Sequence, residues 1–477
     1  MAGQMETPQV PETPEIPRTP ETAAGRRPGR RRPAGRRRVV VTGAGVVSPL
    51  GDSPAALHQA LAAGERARKP IELFATDGIG CREAGEIRPF DAQAYVGERN
   101  LRPLDRTSRL LVVAAQLALA DSGCTQPGAP RPPGAAAAPP PEVGLVLGTT
   151  FCSVRTIAEF DRRGLRLGPA HASPFDFANS VINAAAGQAA IWHRLRGVNS
   201  TVAAGEASGM MAIAQATELV RAGRAPAVLA GGAEELCFES FFGYYRAGRL
   251  CGSRSREAAA GGEGAEDGER PWPFDARRNG FSLAEGAALL MLEDAEAASA
   301  RGATVRAEVL GWGAAFAAEG GEAGLAAAVA RAVRLALADA GALPAEIGCL
   351  SASASGSLEV DRAEAIGVAA ALGESAGALP VTAIKAMLGE GLGVSAAWQA
   401  VDLVETLGDG LLPGIAGLER LEPGLPLPGA AAVTRELAPA ARRRVLATAV
   451  GADGHCAALV LGAPAGRMPE GSAEAAS

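Results

Sequence analysis

Short apolar runs that end in glycine and pass into helix-forming stretches recur along this chain, and that alternation restricts it to α/β architectures. The first run is "VVVTGAGVV" at 39–47, followed by "SPAALHQALAAG", where Ser53 suits the cap and Pro54 the first turn of a helix. "LDRTSRLLVVAAQLALADSG" (104–123) reads as a helix closed by Gly123, and "EVGLVLGTT" and "APAVLAGGAEE" read as strands. These runs are apolar throughout instead of alternating, which is the pattern of strands buried on both faces. A second set begins in "ATVRAEVLGWGAAF" (303–316) and continues through the helix "LAAAVARAVRLALADAG". Later strands are "IGCLSASASG", "PVTAIKAM" and "RVLATAVGADGHCAALVLG". The recurrence predicts a duplicated α/β fold with mixed, mostly parallel sheets, one half over 37–295 and the other over 296–463.

The flanks differ. Residues 1–36 alternate Pro with Thr and Glu and then run into "GRRPGRRRPAGRRR", a composition that cannot bury a core and predicts a disordered tail. A second loose tail is expected at 464–477, a Pro/Ala-rich loop at 126–141, and a Gly-rich acidic surface insertion at 257–270. No window approaches the ~20 apolar residues of a membrane span. A net charge of −6 and 4% aromatic residues argue against nucleic-acid binding. The 7 cysteines are scattered without a C-x-x-C pair, which predicts reduced thiols in the cytoplasm and no metal site. The "TGAGVVSPLG" glycines lack the G-x-G-x-x-G spacing, so no dinucleotide cofactor is expected, nor any other. Basic residues are almost all Arg; the lysines are Lys69 and Lys385.

The stretch "NSTVAAGEASGMMAIAQA" (199–216) is built like a seat for a nucleophile: a small-residue strand, a Gly-flanked corner and a helix. At the corner stands Glu206. The free N–H groups and dipole of the following helix favour a carboxylate there by ~0.3–1 kcal/mol.

Six segments in order are similar to the β-ketoacyl synthase family of the thiolase superfamily: "VVVTGAGVVSPLG", "LDRTSRLLVVAAQLALADSG", "VLAGGAEE", "RPWPFDARRNGFSLAEGAALLMLE", "VTAIKAMLGEGLGVSAAWQAV" and "GADGHCAALVL". The resemblance spans about residues 37–462 and implies a five-layer αβαβα fold, a two-fold dimer and acyl chains delivered on acyl carrier protein. Active members of that family take the acyl chain on a Cys at a helix N-terminus and stabilise an enolate with two His residues supported by a Lys. The family's T-A-C-A-S-G stretch matches "AAGEASG", which puts Glu206 at the Cys position. H-G-T-G-T matches "SASGS", with Ser353 for the first His. K-x-M-x-G-H matches "KAMLGE", which keeps Lys385 and puts Glu390 at the second His. The pocket-lining N-S-F-G-F-G-G stretch matches "TAVGADG", which brings Gly451 and Asp453 to the pocket. Phe151, in "GTTFCSVRTIAEF", matches the region that reaches the partner subunit's acyl pocket. Asp275, Arg277, Arg278 and Glu285 fall in a buttressing loop. Of the 4 histidines, His58, His171, His193 and His455, none falls at either motif position, and only His455 lies near the pocket.

A carboxylate is a far poorer nucleophile than a thiolate toward thioesters, and Glu390 would repel an enolate that needs hydrogen-bond donors. No catalytic residue is therefore assigned. The resemblance implies a chain-length-factor-type subunit that cannot condense alone and forms a heterodimer with a Cys-bearing ketosynthase in polyketide or fatty-acid synthesis. Two other roles stay open: an enzyme using Glu206 and Glu390 as acid and base for hydrolysis or cyclisation, and an acyl- or carrier-binding module. In the first reading Glu206 is a plug on the pocket floor, paired with Lys385.

Overall fold

The computed structural model describes residues 36–97, 101–124, 142–253 and 271–464. The loop at 126–141, the insertion at 257–270 and, apart from Arg36 and Pro464, the two expected tails lie outside the described residues.

Strands β1 (Val39–Val47), β2 (Val143–Gly148), β3 (Asn199–Val202), β4 (Ala227–Glu234) and β5 (Gly286–Asp294) form the first half of one sheet; β6 (Ala307–Phe316), β7 (Leu350–Ser351), β8 (Val381–Thr382), β9 (Arg444–Val450) and β10 (His455–Gly462) form the second. The order across the sheet is β8-β7-β9-β10-β6-β1-β5-β4-β2-β3, so each half repeats the same internal order. In each half four strands run one way, and β5 or β10 runs against them. The halves meet where β1 pairs antiparallel with β6, Val39 opposite Val309 and Val41 opposite Ala307. The segment at 444–462, read above as a single strand, divides into β9 and β10 because the Asp-Gly turn at Asp453–Gly454 reverses it.

The helices that position the site are α1 (Pro54–Ala62), α2 (Arg106–Asp121), α3 (Val154–Leu167), α4 (Ala184–His193), α5 (Ser208–Arg221), α6 (Phe238–Arg246), α7 (Gly321–Ala340), α8 (Leu358–Leu372), α9 (Lys385–Leu388) and α10 (Ser395–Asp409). The layers follow from strand alternation. Val146, Val228, Leu290 and Leu292 point to a central core with Met210 and Ile213 of α5 and Trp398 and Val401 of α10. Their neighbours Leu145, Leu147, Leu229 and Leu289 point the other way, onto α2 and α4. In the second half Val445, Leu459 and Leu461 join the same central core, while Leu446 and Val460 pack under α7 and α8. Helices thus lie outside, between and outside the two half-sheets, the five-layer αβαβα arrangement. Because α5 and α10 are enclosed by sheet on both sides, both are apolar around most of their circumference.

The buttressing loop ties the halves together. Asp275 is fully buried and accepts from the Arg277 guanidinium (2.9 and 3.0 Å) and from the Glu419 and Arg420 N–H groups (both 2.9 Å). Arg278 donates to the Ser357 and Leu358 carbonyls at the start of α8. Glu285 accepts both arms of the Arg106 fork, at 2.6 and 2.5 Å.

Candidate functional site

Six of the residues singled out from the sequence follow the C-terminal end of a strand: Phe151 after β2, Glu206 after β3, Ser353 after β7, Lys385 after β8, and Gly451 and Asp453 after β9, while Glu390 follows α9. Strand ends are where α/β sheets expose side chains for binding. The corner before α5 is a tight turn. Gly205 has φ 53°, and a Cβ on it would come 2.3 Å from Asp453 Oδ2, so glycine is required twice over. Ala207 N–H donates to Ala204 O and Ser208 N–H to Gly205 O, both at 3.1 Å. The Ser208 hydroxyl donates to Gly205 O (2.6 Å) and accepts from Ala204 N–H (2.8 Å). The turn takes up the Ala207 and Ser208 N–H groups, and the backbone N–H at the Glu206 carboxyl is its own. That carboxyl lies buried beside Gly451, where a Cβ would come 2.9 Å from Glu206 Oε2 and 2.3 Å from Asp453 Oδ1. Glycine at 451 thereby makes room for two carboxyls.

Lys385 and Glu390 form a second buried group. Lys385 Nζ donates to Glu390 Oε2 (2.7 Å) and to Ser353 Oγ (3.1 Å). Glu390 Oε1 accepts from Leu392 N–H (2.9 Å) and the Ser395 hydroxyl (2.7 Å). The expected Glu206–Lys385 pair is therefore replaced by Glu390–Lys385. The turn at Gly389, φ 91°, folds Glu390 back onto Lys385, leaving Glu206 a more distant neighbour. Ser353 Oγ also accepts from Val450 N–H (3.0 Å), and Ser353 N–H donates to Glu364 (2.7 Å), whose same oxygen accepts from Thr448 Oγ1 (2.5 Å).

The electrostatics are dominated by burial of acid. Burial, then the Glu390 and Asp453 carboxylates, push Glu206 up to about 7, opposed by its own backbone N–H and by Lys385. Burial pushes Glu364 to about 7 as well, against its bonds to Thr448 and Ser353. Among these side chains none is a strong nucleophile.

Three residues at the site were not singled out from the sequence. Glu234, at the end of β4, accepts from the Thr150, Phe151 and Cys152 N–H groups (2.6, 2.9 and 2.9 Å) and so shapes the loop that carries Phe151. Phe151 packs edge-on against Tyr244 of α6 (6.1 Å), which packs against Phe281 (5.4 Å). Burial and then Glu206, Glu390 and Glu234 raise the Tyr244 phenol, which therefore faces the carboxyl group of residues as a neutral donor. Glu364 lies on α8, in the stretch "SLEVDRAE". Its signal was three-residue spacing from Asp361, which puts both acids on the buried face. Among the histidines, His455 pairs with Asp453 (3.0 Å) at the rim, and His58 and His193 are buried in contact with Asp402 and the Val112 carbonyl.

A pH prediction follows from Glu206. An acid whose folded pKa is raised is held protonated by folding, so stability falls as pH climbs from the unfolded value near 4.3 through about 7. Glu206→Gln, which mimics the protonated acid, will gain on the order of 2 kcal/mol over the unsubstituted chain between pH 5 and pH 8. Urea denaturation of both forms at the two pH values measures it, and a gap that does not change with pH refutes it.

The chain matches the family described as β-ketoacyl synthase, N-terminal domain, over residues 36–298, and that described as β-ketoacyl synthase, C-terminal domain, over residues 306–419. It is 31% identical to 3-oxoacyl-[acyl-carrier-protein] synthase 2 of Vibrio cholerae, over 81% of this chain and 90% of that one. It is 34% identical to putative polyketide β-ketoacyl synthase 2 of Streptomyces coelicolor, over 89% and 94%. Among solved structures, the ishigamide ketosynthase/chain length factor superposes with TM-score 0.79 at 28% identity, covering 90% of this chain and 100% of that one. A β-ketoacyl synthase from Burkholderia phymatum superposes with TM-score 0.76 at 26% identity, over 90% and 100%. With both halves matched in order on a five-layer duplicated fold, the chain belongs to the β-ketoacyl synthase family.

Proposed function

We propose that this chain is a non-condensing, chain-length-factor-type subunit that pairs with a Cys-bearing ketosynthase and serves chain elongation on acyl carrier protein in polyketide or fatty-acid synthesis. The observation that carries the reading is the seat itself. On the sequence match, Glu206 takes the place of the family's thiolate; Lys385, a cation near it, is bound by Glu390 and Ser353, which supports a seat without a nucleophile. Similarity to a ketosynthase/chain length factor structure and to the tetracenomycin polyketide synthase ketoacyl synthase β subunit of Streptomyces glaucescens, 32% identical, supports the subunit role. The carrier follows from the name of the Vibrio cholerae relative. A cytoplasmic location is supported by seven free, buried cysteines; among the described residues no helix is long and apolar enough to cross a membrane.

The surface supports a partner. Helix α3 has no buried residue, although Val154, Ile157, Phe160, Leu165 and Leu167 lie along it. Leu165 is 87% exposed, Phe177 63% and Ile191 77%. Among the described residues β3, which packs against the helix carrying Ile191, pairs only with β2 and is an edge of the sheet. An amphipathic helix, exposed apolar side chains and an open edge strand are what a second chain of the same fold would cover.

The test is reconstitution. With an acyl carrier, malonyl-carrier and a Cys-bearing ketosynthase from the same genome, the two chains together should elongate and this chain alone should not. Condensation by this chain alone overturns the reading. The acid/base alternative draws on the Glu206 value near 7, which suits proton transfer. Glu390, however, is occupied by three donors and is not free as the second base. Glu206→Gln decides between them: a plug leaves the output of the pair intact, whereas an acid/base catalyst loses it.

A further inference from the structure

Far from the Glu206 site, His58 of α1 is buried against α10 between two carboxylates. Its Nδ1 lies 2.7 Å from Asp402 Oδ1 in a hydrogen bond, and its Nε2 lies 3.2 Å from Asp409 Oδ2 without hydrogen-bond alignment. Asp402 is fully buried; the Asp409 side chain is half exposed. A neutral imidazole carries one N–H and can serve one of these carboxylates, while the imidazolium carries two and can serve both. Among the described residues Asp402 Oδ2 and the Thr406 hydroxyl, one helical turn apart on α10, have no hydrogen-bond partner, so the contact is held by charge more than by a completed network. The charged groups facing His58 are Asp402, Glu405 and Asp409, all from α10. Glu405 is shared with Arg306 (3.5 Å), which also binds Asp121, and the buried Cys349 thiol faces Asp402.

We propose that His58, Asp402 and Asp409 form a proton-operated clasp between α1 and α10, closed when the imidazole is charged and loosened when it loses its proton. The clasp bears on the site through α10 itself. The same helix begins at Ser395, whose hydroxyl holds Glu390, and places Trp398 against Gly391. His58 is thus a positioning residue for the Glu390 turn, its partner Asp402 lying about two helical turns from Ser395.

The direction follows from linkage. Burial opposes the charge on His58, but the hydrogen bond and charge of Asp402, with Asp409 and Glu405, outweigh it and raise its pKa. A base whose folded pKa is raised lends stability that is complete below the unfolded value, about 6.5, and is lost as pH rises through the higher folded value. Burial raises Asp402 too, so its ionisation also weakens the fold with rising pH.

The experiment compares thermal unfolding of the full chain with His58→Gln and Asp409→Asn between pH 6 and pH 9. The unsubstituted chain should exceed His58→Gln by at least about 2 °C at pH 6, and the gap should close by pH 9. Asp409→Asn should move that closure to lower pH. Amide exchange in residues 390–396 should speed up over the same pH range in the unsubstituted chain and not in His58→Gln. A gap equal at both pH values, or wider at pH 9, overturns the proposal. If His58→Gln does not fold, NMR titration of the imidazoles in the unsubstituted chain and in Asp409→Asn decides. A His58 midpoint above 6.5 that drops in Asp409→Asn supports the clasp; a midpoint below 6.5 overturns it.

Discussion

Lys385→Met will destabilise the folded chain by about 3–5 kcal/mol, the cost of stranding a buried charge without its partner. Both members of the Lys385–Glu390 pair are almost wholly buried, and their contact is 2.7 Å. Without the ammonium, Glu390 keeps the Leu392 N–H and the Ser395 hydroxyl, but its Oε2 faces no cation. The Ser353 hydroxyl loses a donor at the same time. The double change Lys385→Met/Glu390→Gln removes both charges together and should recover most of the loss, because an uncharged pair of similar shape carries no unpaired ion. Urea unfolding of the two single variants and the double variant completes the cycle. A neutral Lys385→Met, or a double variant no better than the single, would show that the lysine was kept for a reason other than holding Glu390. The prediction bears on function because a lysine committed to this bond is not available to a substrate.

The contrast between what the sequence shows and what it hides has physical causes. The duplicated halves were readable because burial on both faces demands uninterrupted apolar strands, and "VGLVLG" and "AVLAGGAE" supply them. The corner at Glu206 was readable because a strand, glycine and helix in that order present one side chain at the turn. The partner of Lys385 was not readable from residue types. Glu206 and Glu390 are both acids, and the choice depends on the φ of Gly389, which turns a five-residue separation into a contact. The donors around Glu206 were hidden for a similar reason: in the tight turn at Ala204–Ser208 the Ala207 and Ser208 N–H groups bond within the turn, and the N–H at the Glu206 carboxyl is its own. Tyr244 gave no signal, since "FFGYYR" reads as an ordinary amphipathic helix end until α6 is packed beside Phe151 and Phe281.

Placing a charge on the uncovered apolar surface will separate the chain from its partner without harming the chain itself. Leu165→Glu and Ile191→Glu change side chains that are 87% and 77% exposed, so each isolated variant should unfold within about 0.5 kcal/mol of the unsubstituted chain. In a heterodimer those positions would be enclosed, and a carboxylate in an apolar interface loses its hydration with no cation to replace it. At 2–4 kcal/mol for each site, every ~1.4 kcal/mol being a factor of ten, the double variant should bind its ketosynthase partner weaker by at least about a thousandfold. Co-expression and sedimentation of the pair would then give two separate species, and elongation by the mixture would fall in step with the lost complex. Glu206→Gln in the same assay should leave both assembly and elongation in place, since that side chain is buried inside the chain. Under the proposed role, the two results together would assign the work of the chain to its surface and not to the Glu206 corner. A double surface variant that still sediments with the ketosynthase, or a complex that survives while elongation is lost, would reverse that assignment.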